Sequence, residues 1–176
     1  MNGVILEIGI GAGEHLVNEA TVAPQIGFLG VEPFREGLAK AVDAIEKKDL
    51  RNIRLYDDDA AVLLDWLPEG SLVRIDLLYP DPWPKRRHRK RRFISTGNLD
   101  RMANTLRSGG ELRVATDIAT YADWTLLAIQ RRRDFHWTAH CADDWRRPWE
   151  GWLGTRYESK ALLAGRVPIY LTFRRD

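Results

Sequence analysis

Strand-like and helix-like segments alternate along almost the whole of this chain, and that alternation restricts the fold more than any other feature. Val4–Ile8, Phe28–Val31, Ile53–Tyr56, Leu72–Tyr79 and Glu111–Ala115 are short, largely apolar runs that read as strands. Between them, Glu14–Ala23, Phe34–Lys47, Ala60–Leu67 and Leu99–Leu106 carry helical periodicity, and Ser108-Gly109-Gly110 is expected to stop the last of these before the fifth strand. A long helix is predicted over Ile118–Arg132, with further strands at Phe135–Ala139 and Val167–Phe173. Such alternation predicts an α/β fold with a mostly parallel sheet. A chain of 176 residues suits a single domain, expected to run over 1–176. One residue fits badly: Asp76 interrupts the fourth strand, where a carboxylate must be paired or solvated.

The fourth strand leads into the most unusual stretch of the chain. Pro80-Asp81-Pro82-Trp83-Pro84 is stiffened by three prolines and carries one carboxylate and one large ring. Lys85 to Arg92 follows, eight residues of which seven are Lys or Arg and the other is His88. The chain as a whole has 27 Lys and Arg against 25 Asp and Glu, a net of +2; without this block 20 remain against 25, a net of −5. A short segment that reverses the sign of the molecule points to a polyanion such as a nucleic acid, and away from a merely solvated loop.

Other classes are disfavoured. No stretch approaches the ~18 apolar residues of a membrane span, and no secretory signal pattern opens the chain. The one cysteine, Cys141, permits no intrachain disulfide and fits a reducing, cytoplasmic setting. His136 and His140 with Cys141 make a poor zinc set, so no metal is expected. The residues do not fix the oligomeric state; a monomer is the simpler expectation over a homodimer.

Glycines at Gly9, Gly11 and Gly13 sit at the turn between the first strand and the first helix, where the backbone can approach a ligand. The dinucleotide pattern G-x-G-x-x-G fails here, since its third position is Glu14 counted from Gly9 and Leu16 counted from Gly11. Glu7, just before the turn, would repel a pyrophosphate but accept a hydrogen bond from an ammonium group. That favours S-adenosylmethionine over NAD. Glu32 closes the second strand, where an acid commonly meets ribose hydroxyls. Asp59 opens the third helix, either as its N-cap or near an adenine, or as both. Glu7, Glu32, Asp59 and Asp81 would thus converge along the carboxyl edge of the sheet. Asp117, after the fifth strand, has the same two readings, N-cap or ligand contact. The segment Trp145–Trp152, with three of the seven tryptophans, is either an aromatic lid or packing beneath a long loop.

The segments LEIGIGAGEHL, GVEPF, DDDA, LLYPDPWPKRRHRKRRF, RVATDIATYADW and TRYESKALLAGRVPIYLTF occur in the order found in bacterial tRNA (guanine-N7-)-methyltransferases, and the chain resembles that family from Leu6 to Arg174. The glycine motif alone is weak; PDPWPKRRH together with ATD and TRYE is highly specific. The resemblance implies a Rossmann-like class I methyltransferase, with a seven-stranded sheet whose last strand is antiparallel and helices on both faces. It implies methyl transfer from S-adenosylmethionine to N7 of a guanine in the tRNA variable loop. Carried over by motif, Glu7, Gly9, Gly11, Glu32, Asp59 and Asp81 would face the cofactor, with Asp81 also the catalytic acid. Lys85, Asp117, Thr155, Arg156, Tyr157 and Glu158 would meet the guanosine. Arg87, His88, Arg89, Lys90, Arg91 and Arg92 would track the RNA backbone. Family members usually carry several dozen residues before the first strand, which here opens at Val4.

Guanine N7 carries a lone pair and no proton, so this reaction asks for alignment and exclusion of water, not for a general base. Asp81 is therefore expected to position. Trp83 is expected to stack on a base or to pack in the core. Three other readings fit less well. An amino-methylating enzyme usually has two adjacent prolines, which Asp81 separates here. A nucleic-acid-binding module would not need tight cofactor binding. A dehydrogenase is opposed by the glycine spacing.

Overall fold

The computed structural model describes residues 2–176. Its strands are β1 (Val4–Ile8), β2 (Gly27–Val31), β3 (Ile53–Tyr56), β4 (Leu72–Leu78), β5 (Leu106–Thr116), β6 (Phe135–Trp137) and β7 (Ile169–Arg175). Its helices are α1 (Glu14–Val22), α2 (Arg35–Lys47), α3 (Ala60–Trp66), α4 (Thr96–Thr105), α5 (Ala119–Gln130), α6 (Asp143–Arg146) and α7 (Arg156–Leu163), and Arg86–Arg91 forms a 3₁₀ turn. The strands make one seven-stranded sheet in the order β3-β2-β1-β4-β5-β7-β6. Strands β1 to β5 pair in parallel, and β7 runs antiparallel to both β5 and β6. The expected architecture, including the reversed last strand, is the one observed.

Two expected boundaries move for physical reasons. Ser108-Gly109-Gly110 does not separate a helix from a strand. It lies inside β5, where the register against β4 jumps from Leu72↔Leu106 to Arg74↔Glu111. Gly109 takes φ +73°, so the glycines let the strand step around an irregularity and continue. The last strand starts at Ile169 instead of Val167, immediately after Pro168, which has no N–H to give a ladder.

The two faces of the sheet differ. Leu6, Ile8, Ile75, Leu77, Leu112, Val114, Leu171 and Phe173 form one continuous apolar face, packed against α3, α4 and α5 residues such as Leu64, Met102 and Tyr121. The opposite face is apolar over β1 to β3, where Ile5, Phe28 and Ile53 meet Leu16, Val17 and Ala41, and again at Leu78, Ala115 and Tyr170 near the ends of β4, β5 and β7. Further along that face, register places Glu7 beside Asp76, Asp76 beside Arg113, and Arg113 beside Thr172. Asp76 therefore belongs to an alternating strand, with Arg74 and Asp76 on one side and Ile75 and Leu77 on the other.

Candidate active site

Strand order reverses direction between β1 and β4, the place where ligands enter open α/β sheets. The glycine turn leaves β1 at that point. The Pro80–Pro84 segment leaves β4 beside it, since Ile8 and Leu77 are register partners. Gly13 (φ +78°) ends the turn, and a Cβ there would lie 2.8 Å from Ala41 Cβ of α2. The N–H groups of the turn are spent internally. Gly9 and Ile10 donate to the Val31 carbonyl, Gly13 to the Ile10 carbonyl, and Gly11 to Glu32 Oε2 at 2.7 Å. A phosphate would find few donors here, while a cationic or hydroxyl-bearing ligand would find carboxylates and the open space above Gly9.

The four acids occupy the edge in spatial order. Asp59 follows β3 and caps α3, its Oδ1 accepting from Ala61 N at 2.8 Å; the N-cap reading holds for it. Glu32 follows β2, is buried, and accepts from Gly11 N and Phe34 N (2.9 Å). Glu7 ends β1 but is only 4% exposed and is bonded to His15 Nδ1 at 2.8 Å, so it is held beneath the turn. Asp81 follows β4, is exposed, and has no hydrogen-bond partner among the described residues. Tyr79 (φ +50°) and Trp83 (φ +39°) bracket it in the left-handed region that L side chains rarely adopt.

The cationic block divides. Lys85, Arg86, Arg87, Arg89, Lys90 and Arg91 are exposed, and His88 is half-buried. Arg92 corrects the expectation that it tracks RNA: it is 3% exposed. Its Nε donates to the Pro82 carbonyl at 2.9 Å and its Nη1 to the Thr120 carbonyl at 3.2 Å. The guanidinium lies over the rings of Tyr121 and Trp124, 5.4 and 5.1 Å from their centroids. Burial, then the neighbouring charge of Arg89, lowers its pKa. A cation placed this way pins the Asp81 segment to α5. Trp83 is neither buried in the core nor bare: Arg91 stacks 4.9 Å over it and His88 meets it edge-on at 5.8 Å.

The segment Thr155–Glu158 comes up against the glycine turn. Thr155 caps α7, its Oγ accepting from Glu158 N at 3.0 Å. Tyr157 Cε2 lies 3.8 Å from the position a Cβ on Gly11 would take, so the start of α7 rests on the glycine turn. Arg156 and Lys160 flank the Tyr157 ring at 5.4 and 5.7 Å. Asp117 is not the cap of α5, which starts after Ile118 without a side-chain cap; Thr116 Oγ1 accepts from Ile118 N, and Asp117 pairs with Arg166 just beyond α7. The start of α7 therefore lies against the glycine turn, which leaves the sheet beside the strand that leads into Asp81.

Residues 1–170 match the family model described as "Putative methyltransferase". A tRNA (guanine-N(7)-)-methyltransferase of Chelativorans sp. is 59% identical over 170 residues, covering 97% of this chain and 73% of the relative. This chain belongs to the tRNA (guanine-N7-)-methyltransferase family. A Mesorhizobium japonicum member is 56% identical over 175 residues, covering 99% of this chain and 75% of the relative. Among solved structures, a "putative methyltransferase from streptococcus mutans in complex with SAH" superposes with a TM-score of 0.64 at 11% identity, covering 99% of this chain and 89% of that one, a likeness of fold. No helix among the described residues is long and apolar enough to cross a membrane.

Sequence reasoning missed a buried charge network in this methyltransferase. Arg74 bridges Asp76 Oδ2 (2.9 Å) and Glu19 Oε2 (2.5 Å), so the 2%-exposed Asp76 is paired. Next to it stands the Glu7–His15 pair, and Arg113 bonds Glu111 at 3.1 Å. The alternation Arg74-x-Asp76 and Glu111-x-Arg113 was its signal in the sequence. Trp149 and Trp152 roof the network. Trp149 donates to Thr172 Oγ1 at 2.8 Å and its ring faces the Arg113 guanidinium at 5.3 Å. Of the two readings of the Trp145–Trp152 segment, these contacts are those of packing.

The network carries a pH dependence. Burial pushes Glu7 up, against the pull of His15. For His15, burial acts downward, but the hydrogen bond to Glu7 and the Glu7 charge outweigh it and raise its pKa above 6.5. A raised folded value means stability that is full below about 6.5 and lost as pH rises through the folded pKa. The melting temperature of the parent should thus fall more steeply above neutrality than that of His15→Gln, the two curves converging at high pH. Parallel curves would show that His15 does not titrate with folding.

Proposed function

We propose that this protein transfers the methyl group of S-adenosylmethionine to N7 of a guanine in the variable loop of tRNA. The observation that carries this reading is the contact of α7 with the glycine turn: Tyr157 stands over Gly11, so a base held by Thr155–Glu158 lies next to whatever the turn holds. Family membership and the cationic block beside Asp81 support the same reading.

When bound, S-adenosylmethionine supplies an electrophilic methyl group on a positively charged sulfur. Glu32 and Asp59, at the ends of β2 and β3, face its hydroxyls and base. Gly9 and Gly11 leave it room. Glu7 acts from below, through His15 and the turn, and not by direct contact. On the acceptor side, Lys85, Asp117, Arg156 and Glu158 ring the guanosine, and the Thr155 hydroxyl, which accepts from Glu158 N, still has its proton to donate. Arg87, His88, Arg89, Lys90 and Arg91 follow the phosphates. N7 loses no proton, so Asp81 has none to take. As the purine gains positive charge, a carboxylate fixed beside it stabilises that charge and aligns the base.

Gly37 tests the cofactor side. A Cβ at Gly37 of α2 would lie 2.6 Å from the Gly11 carbonyl oxygen. Gly37→Ala should displace the turn and weaken S-adenosylhomocysteine binding about 10-fold, or ~1.4 kcal/mol, in calorimetric titration. Unchanged affinity would place the cofactor elsewhere.

The acceptor atom is tested with tRNA transcribed from 7-deazaguanosine triphosphate, in which every guanine N7 is a carbon. Such RNA should bind and receive no methyl group. Methylation at the normal rate would exclude N7.

A further inference from the structure

We propose that Trp152 and Tyr170 are positioning residues that aim the carboxylate of Glu158, and that Trp152 joins that carboxylate to the Glu7–His15 pair under the glycine turn. The proposal rests on the reading above, in which Glu158 meets the guanine.

Glu158 is the third residue of α7, three after the Thr155 cap. An acid at that position ordinarily turns back to the N–H of the cap residue. Here it does not. Oε2 accepts from Trp152 Nε1 at 2.6 Å, and Oε1 accepts from Tyr170 Oη at 2.8 Å. The two donors come from separate elements, the loop before α7 and strand β7, so both carboxylate oxygens are fixed relative to the sheet. Burial, then the hydrogen bond and charge of Glu158, raise the pKa of Tyr170, which keeps its proton and remains a donor. Each oxygen has a second lone pair to offer. A carboxylate held this way can accept both N–H groups on the Watson–Crick edge of guanine, a pairing that adenine, with one acceptor and one donor there, cannot match.

Trp152 also faces the cofactor side. Its ring lies 4.7 Å from His15, which is bonded to Glu7 at the end of β1. Trp149 and Tyr170 close the cluster edge-on, at 5.3 and 6.0 Å from Trp152. The same indole thus touches the imidazole beneath the glycine turn and donates to the carboxylate on the acceptor side. Movement of the turn is felt at Glu158 through one rigid ring.

The test uses Trp152→Phe and Tyr170→Phe, which keep an aromatic ring and remove one donor each, with Glu158→Gln and the doubles Glu158→Gln/Trp152→Phe and Glu158→Gln/Tyr170→Phe. Measured are kcat and KM for tRNA, the Kd for S-adenosylhomocysteine and the melting temperature. Each single donor deletion should lower kcat/KM for tRNA about 10- to 100-fold, the loss of one hydrogen bond to a charged group. Tyr170→Phe should leave the Kd for S-adenosylhomocysteine within about twofold, while Trp152→Phe should raise it measurably. With S-adenosylmethionine saturating, neither deletion should reduce kcat/KM for tRNA further once Glu158 is Gln, because each acts on the acceptor side through that carboxylate. If Glu158→Gln is impaired while both Phe variants match the parent, the two donors merely pack and the proposal fails. Full additivity in the doubles overturns it equally. If Glu158→Gln itself is unimpaired, the guanine reading beneath the proposal is what fails.

Discussion

Asp81→Ala should lower kcat by about 100-fold or more while the affinities for tRNA and S-adenosylhomocysteine fall far less. Several features of the site give this result. The carboxylate stands exposed at the carboxyl end of β4 with no partner among the described residues. It is therefore free to meet a ligand. Pro80 and Pro82 restrict its backbone, and Arg92 holds the Pro82 carbonyl at 2.9 Å, so the approach of the side chain is set in advance. Removing one preorganised charge-stabilising group typically costs ~10²–10³ in kcat. Asp81→Asn keeps the shape and loses the charge. It should fall nearly as far as Ala if the carboxylate stabilises a purine that is becoming cationic, and should remain near the parent if shape alone matters. Single-turnover kinetics with saturating tRNA separate these outcomes. Retained turnover in both variants would remove Asp81 from the mechanism.

The second large effect is on RNA binding. Replacing Arg86, Arg87, Arg89, Lys90 and Arg91 together by Ala should weaken tRNA binding about a thousandfold at physiological salt. It should also flatten the slope of log K against log salt by about 4, since each phosphate contact contributes ~0.7–0.9. All five are exposed, so the melting temperature should hardly move. Arg92→Ala should behave in the opposite way. Its loss strips two backbone carbonyls of a charged donor and should cost about 2–4 kcal/mol of stability, with little change in the salt slope. An unchanged salt slope for the five-residue variant would show that the exposed cations do not lie along the RNA.

That contrast between Arg91 and Arg92 marks a limit of sequence reading. Composition tells that a run of cations faces a polyanion, but not which member of the run turns inward to hold a carbonyl. The alternation of strands and helices made the sheet legible, and with it the edge on which Asp59, Glu32 and Asp81 stand, because consecutive parallel strands must end on the same side. Glu7 lies near the end of β1, and the structure gives it His15 as a partner. His15, eight residues on and the second residue of α1, reaches back to it, and this needs the angle between strand and helix, which no spacing rule supplies. Asp76 looks anomalous when Leu72–Tyr79 is read as one apolar run; its alternation with Arg74 becomes meaningful once α1 brings Glu19 over the sheet. Trp152 and Glu158 lie six residues apart across the start of a helix, and their link to Tyr170 depends on β7 being inserted beside β5. Gly109 read as a stop because glycine clusters usually end elements, yet the strand passed through it by a register shift.

The most direct test of the central claim, that a guanine held by α7 meets a methyl donor held by the glycine turn, is the identity of the product. Bulk tRNA from cells lacking this activity is incubated with the protein and methyl-labelled S-adenosylmethionine, then digested to nucleosides and separated. The label should appear in 7-methylguanosine alone. Label in a methylated exocyclic amine, in another base, or nowhere would contradict it.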